Sequence, residues 1–342
     1  MSAPPRQSGI SLGEDLMKTN PISDPKVFGY WAYQAIEKHF QKTIKHETDV
    51  IKDKDPEALH QMRVGMRRLR TAITGFESAI ALPKVARPDK IGSIARKLGK
   101  LRDLDVLLDT LENQYLPGLP TSEQKILKKV LATLHKQRQH SLELVQTTLN
   151  DKPYQELKQG LQNWLEEPKY GSFAQLAILD ILPNLLLPLV SQLLLHPAWL
   201  VGVKIENGEL EINLDMTPDR IMEILSNPDE DLHDLRKQAK GVRYQMELFT
   251  EFYNSNYQDY VKDIKAIQGI LGQIQDSFVL ADFLRDILKA DLKVELPTLT
   301  TQLTSSRYEL WQEWQKLQQR YLNPQTRKDL YQIILNPAIE TS

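Results

Sequence analysis

The sequence predicts an all-α protein made of two related helical bundles, with a small β-hairpin inserted near residues 201–214. Three observations carry this. Apolar residues recur at helical spacing along most of the chain. A basic helix pattern occurs twice at one fixed offset. Asn207-Gly208 stands between two short runs of strand-forming residues, which signals a tight hairpin.

The repeat is the firmest of the three. Residues 59–70 read Leu59-His60-Gln61-Met62-Arg63-Val64-Gly65-Met66-Arg67-Arg68-Leu69-Arg70. At about 100° per residue, His60, Arg63, Arg67 and Arg70 fall within roughly an 80° sector of a helix. Met62, Met66, Leu69 and Ile73 occupy the neighbouring sector, so one helix offers an apolar stripe and a cationic stripe side by side. His233, Arg236, Lys240 and Arg243 repeat that spacing 173 residues later. Leu98-Gly99-Lys100-Leu101-Arg102-Asp103 and Leu271-Gly272-Gln273-Ile274-Gln275-Asp276 match at the same offset of 173. Two motifs sharing one offset predict a duplicated helical unit, over 26–170 and 171–342.

The 342 residues leave ample room for a core. A hydrophobic share of 41% and a charged share of 26% are ordinary for a globular chain. The net charge is only −2, so a site for a polyanion must come from local clustering. Residues 60–102 supply one, with eleven Lys and Arg against the two acids Glu77 and Asp89. The absence of cysteine excludes disulfides, thiol catalysis and cysteine-bound metal, and fits a reducing cytoplasm. The most apolar run, Leu176–Leu195, is interrupted by Asp180, Pro183, Asn184 and Pro188, which favours a buried helix over a membrane span.

In chain order, residues 1–25 lack periodicity and predict a disordered tail. A helix is expected from Val27 to about Ile51, with Asp24 as cap and Pro25 in its first turn. Asp55-Pro56-Glu57 opens the His60 helix, expected to run to about Ala81 before Pro83. Further helices are expected at Ile91–Leu111, Thr121–Asn150, Tyr154–Trp164 and Ala174–Leu195. After the hairpin, Thr217-Pro218-Asp219 starts a short helix and Asn227-Pro228-Asp229 leads into the His233 helix. Helices at Tyr257–Ala290, Leu299–Gln319 and Gln325–Leu335 complete the chain.

Each basic helix spreads its cations over roughly 15 Å, which suits a linear polyanion better than a single phosphate. Arginine bonds phosphate oxygens bidentately, and nearby phosphates would raise a histidine pKa. If the halves pack about a pseudo-twofold axis, the two stripes face each other as one channel. A solvated helix face is the plainer explanation for one such stripe, and its recurrence weighs against it. Asp103 and Asp276 hold equivalent places and are expected to orient the arginines through salt bridges. Several other features point to no chemistry. Glu209 and Glu211 alternate on the hairpin, His135 and His140 have poor metal spacing, and Trp311 and Trp314 suit a core. No phosphate-cradling glycine loop or nucleophile elbow occurs. No catalytic residue, metal or cofactor is therefore expected.

At Leu59–Arg70, Leu101–Val106, Leu232–Tyr244 and Leu271–Asp276 the sequence resembles the CHAD family, the conserved-histidine α-helical domain. The resemblance implies two helical bundles about a pseudo-twofold axis, a basic central pore that binds inorganic polyphosphate, and association with polyphosphate granules in the cytoplasm. Carried over, the phosphate contacts would be His60, Arg63, Arg67, Arg70, His233, Arg236, Lys240 and Arg243. Local charge adds Arg68, Lys97, Lys100, Arg102 and Lys237. Gly241 stands where the first half has Arg68, and Gln275 stands opposite Arg102, so weaker binding by the second half is expected. Nucleic acid is a less favoured partner, since no recognition helix or stacking sheet is visible. A metal-dependent polyphosphate or triphosphate hydrolase using Asp103, Asp276 or the Glu209/Glu211 pair is the remaining alternative.

Overall fold

A computed structural model describes residues 20–226 and 231–338. The first half holds α1 (Phe28–Lys45), α2 (Glu47–Lys52), α3 (Pro56–Gly75), α4 (Pro88–Asp109), α5 (Thr121–Asn150) and α6 (Lys152–Glu166). The second holds α7 (Ile178–Leu194), the strands β1 (Val203–Glu206) and β2 (Glu209–Ile212), α8 (Pro218–Ser226), α9 (Asp231–Leu248), α10 (Ser255–Leu288), α11 (Leu292–Glu295), α12 (Pro297–Leu322) and α13 (Pro324–Leu335). The fold is all-α apart from the two-stranded hairpin.

Local chemistry sets several boundaries. Asp55 caps α3, its carboxylate accepting from the Glu57 amide at 2.8 Å, with Pro56 in the first turn. Asn207 and Gly208 have φ of 52° and 85°, the left-handed pair that a two-residue hairpin turn requires. The register pairs Val203 with Ile212 and Ile205 with Leu210, which leaves Lys204, Glu206, Glu209 and Glu211 on the other face. Gln315 and Gln318 on α12 donate to the carbonyls of Asn213, Trp199 and Val201 and so clip the hairpin's base to the bundle.

Some expected boundaries shift. The His60 helix ends at Gly75, not Ala81. Phe76 turns into the core between Phe28 and Phe249, with ring centroids 5.0 and 5.4 Å away. Ile80 then bridges to Tyr170. The first helix starts at Phe28 and breaks at His46. Asp24 caps only the turn before it, accepting from the Lys26 amide at 2.9 Å. Of the expected tail, residues 1–19 lie outside the described residues, as do Asn227, Pro228 and Asp229. The Ile22 amide donates to the Tyr170 hydroxyl at 3.0 Å.

Ile178–Leu200 is long and apolar enough to cross a membrane by length and composition. Its Ile178, Leu182, Leu186, Val190 and Leu193 are buried in the main core, where α7 packs against α9 and α13. Trp311 and Trp314 are buried there too, and Trp199 stacks on Trp314 with centroids 5.2 Å apart.

Besides the backbone pairing of Val27 and Phe28 with Ala177 and Leu176, the halves meet at two further joints. At one, α3 packs on α9, where the Gln245 side chain donates to the Thr71 carbonyl at 3.3 Å. At the other, Leu108, Leu111 and Leu127 share a second apolar cluster with Leu280, Leu284 and Leu299. There Glu123 accepts from the amides of Thr298 and Leu299 at 3.0 and 3.2 Å, capping α12 from the opposite half. Arg138 ties α5 to the α2–α3 turn and α4, bonding Asp53 at 2.7 Å and Asp105 at 2.8 Å.

Candidate anion-binding site

The cations follow from helix geometry. α3 buries Leu59, Met62, Met66, Leu69 and Ile73, and turning about 100° per residue leaves His60, Arg63 and Arg67 half-buried beside that stripe. α9 does the same, burying Leu235, Ala239, Val242 and Met246 and leaving His233, Arg236 and Arg243 half-buried.

α4 packs on α3, and α10 on α9, each with a glycine under an arginine. A Cβ on Gly99 would stand 3.4 Å from Arg63 Nη2, and one on Gly272 3.1 Å from Arg236 Nε. A Cβ would touch the Arg63 guanidinium and press on that of Arg236, so the two glycines leave the arginines room to lie close against α4 and α10. One helical turn further on, Asp103 lies 3.5 Å from Arg63 and Asp276 lies 3.5 Å from Arg236. Arg70 sits over Gly92, where a Cβ would be 3.2 Å from its Nη1 and 3.6 Å from Arg96.

Between the arginines stands Tyr244. The guanidinium carbons of Arg67 and Arg243 lie 4.6 and 4.5 Å from its ring centroid, one from each half. Arg243 also donates to Gln268 at 2.7 Å and pairs with Glu247 at 3.0 Å. Burial pushes the Tyr244 hydroxyl pKa up, against the pull of both arginines.

Charge crowding perturbs the site. Lys240 is exposed on α9, and the protein crowded around its ammonium depresses it, with Arg67, Arg236, Arg63 and Arg243, two from each half, adding to the effect. Burial likewise lowers Arg67, with Arg243, Arg68 and Arg63 adding to the effect against Tyr244. Burial holds His60 below its usual range, helped by Arg102 and opposed by Glu57. The His233 Nδ1 lies 2.9 Å from Gln275 Oε1, the residue standing where Arg102 stands beside His60. With an amide oxygen as acceptor, Nδ1 carries the proton. The arrangement concentrates positive charge along both helices and can bind an extended anion.

Not every predicted residue joins this cluster. Arg68 is exposed on another flank of α3, where it lines a cleft of about 810 Å³ with Trp31, His39 and the Tyr244 of the site. There burial, Arg68, Lys38 and Lys42 hold His39 down to about 4. Lys237 is exposed and pairs with Asp234 at 2.9 Å. Lys97 and Lys100 are exposed on α4. Sequence reasoning missed Gly99, Gly272, Tyr244 and Gln268 as parts of the site. The signal for the glycines was present, because Leu98-Gly99 and Leu271-Gly272 recur at the repeat offset. Among the described residues no group of three or more His, Asp or Glu could hold a metal ion.

A family model described as the CHAD domain matches residues 34–285. The crystal structure of the CHAD domain from the plant Ricinus communis is similar to the chain, with a TM-score of 0.56 and 22% identity over 96% of this chain and 99% of that one. PptA from Streptomyces chartreusis is also similar, with a TM-score of 0.59 and 13% identity over 86% of this chain and 99% of that one. At these identities both speak for the fold alone. No curated protein matches.

Proposed function

We propose that this chain, which belongs to the CHAD domain family, binds inorganic polyphosphate in a basic channel between α3, α4, α9 and α10, without turning it over. The observation that carries this is the Tyr244 ring, with the Arg67 guanidinium of the first half 4.6 Å from its centroid and the Arg243 guanidinium of the second half 4.5 Å from it. Cations from both repeated helices thus act on one place. A linear chain of phosphates presents charge at every unit and matches a row of cations better than a compact anion does. The Tyr244 ring is already engaged by two guanidiniums, so it offers no open platform for a nucleobase. On this proposal the chain gathers at polyphosphate granules in the cytoplasm.

The test is a competition titration of the full chain at about physiological salt. Long-chain polyphosphate, single-stranded RNA and triphosphate compete, with phosphate release followed in parallel. Preference for long polyphosphate without release is expected, and Arg63→Glu with Arg236→Glu should abolish it while helicity is retained. Equal or better binding of RNA, or steady phosphate release with Mg²⁺ or Mn²⁺, overturns the proposal. Unchanged binding in the double variant overturns the site.

A further inference from the structure

Asp103 and Asp276 are the carboxylates set against Arg63 and Arg236, each at 3.5 Å. Their side chains are 77% and 72% exposed, while the arginines are 32% and 27% exposed. An ion pair so open to water holds a guanidinium weakly. Orientation comes from beneath, where Gly99 and Gly272 let α4 and α10 approach the arginines. In both halves the carboxylate therefore occupies one side of an arginine that is already positioned.

We propose that Asp103 and Asp276 are tethered counter-ions that an incoming phosphate chain must displace, an inference that rests on the polyphosphate reading above. A small anion that reaches Arg63 or Arg236 exchanges one ion pair for another and gains little. A long chain displaces both carboxylates and also engages Arg67 and Lys240, which lie outside those pairs. The carboxylates thus keep the empty site from filling with single phosphates and set a threshold of charge for entry.

The experiment compares the full chain with Asp103→Asn, Asp276→Asn and the double variant. It measures affinity for long-chain polyphosphate and the concentration of inorganic phosphate needed to displace it. Each single substitution should tighten polyphosphate binding by about twofold to fivefold, and the double by about their product. Orthophosphate should compete at lower concentration in the double variant. Asp103→Glu and Asp276→Glu, which keep the charge, should stay near the parent. Circular dichroism checks the fold, which exposed carboxylates leave intact. Weaker binding by the Asn variants overturns the proposal in favour of an orienting role, and unchanged binding overturns it outright. Failure of the parent chain to bind polyphosphate removes the function on which the proposal rests, and is a different result from either.

Discussion

Lys240 sits where function and stability oppose each other. Lys240 is exposed on α9, and its ammonium is depressed by the crowding around it and by Arg67, Arg236, Arg63 and Arg243. Lys240→Gln removes one charge at nearly constant length and helix propensity. A like-charge pair screened by solvent costs ~0.2–0.5 kcal/mol, so relief from four neighbours amounts to about 1 kcal/mol. For a chain of this size that raises the Tm by about 2 °C or less. Polyphosphate affinity should fall about tenfold, because one cation of the α9 stripe is gone. With ligand at 100 times Kd the parent gains ~2.7 kcal/mol by linkage, which reverses the order of the two proteins. The folded ammonium titrates below its ordinary 10.5. Between those values the folded chain holds fewer protons than the unfolded one, so Lys240 adds stability as pH rises through that window. The advantage of Lys240→Gln should therefore shrink toward pH 10.5. Urea unfolding and binding titrations, each with and without polyphosphate, read all of this. A variant less stable than the parent at pH 7, or one that binds equally well, refutes the reasoning.

Gly272→Ala should raise intrinsic helix stability by up to about 1 kcal/mol while forcing Arg236 off its seat, because the new Cβ meets Nε at 3.1 Å. Unfolding midpoints should hold or rise as polyphosphate affinity drops about threefold, and undiminished affinity would show that the seat does not matter. Gly99→Ala, with a 3.4 Å approach to Arg63, should be milder. His60 is held below its usual 6.5 by burial and Arg102, and phosphates placed beside it raise its pKa. Binding should then take up a proton, and affinity should fall as pH rises between the free and bound pKa values. Calorimetry near pH 6 in two buffers of different ionisation enthalpy measures this uptake, which His60→Asn should abolish; a parent without uptake sinks the assignment.

The helices, the hairpin and the cationic stripes were legible because each depends on local periodicity or on turn chemistry. The end of α3 was not, since the burial of Phe76 against Phe28 and Phe249 stops the helix at Gly75 and those partners are remote in sequence. Asp24 looked like a helix cap, yet its carboxylate serves the Lys26 amide in the turn before Phe28. Arg68 reads as one more cation beside Arg67, but a step of about 100° carries it to another flank of α3. Gly99 and Gly272 stood out in the sequence only as matched positions of the repeat. Their role shows only once Arg63 and Arg236 of the neighbouring helices are laid over them. Tyr244 was invisible as a site residue because its partners, Arg67 and Arg243, come from different halves.

That last point bears on why the cations lie where they do. Setting Arg63, Arg67, Arg236, Lys240 and Arg243 on two packed helices is unfavourable in the empty protein, because like charges repel, and their mutual repulsion adds to the desolvation that depresses Lys240 and Arg67. Such crowding holds only if something else presses the halves together. The two joints do so, one through the Phe76–Phe249 contact and the Thr71–Gln245 bond, the other through the leucine cluster and the Glu123 cap on α12. Apolar burial at the joints is insensitive to salt, whereas repulsion at the site is screened by it. A polyanion replaces that repulsion with attraction and so adds to the cohesion between the halves. Neither basic helix carries the site alone, because the four charges acting on Lys240 are drawn equally from α3 and α9.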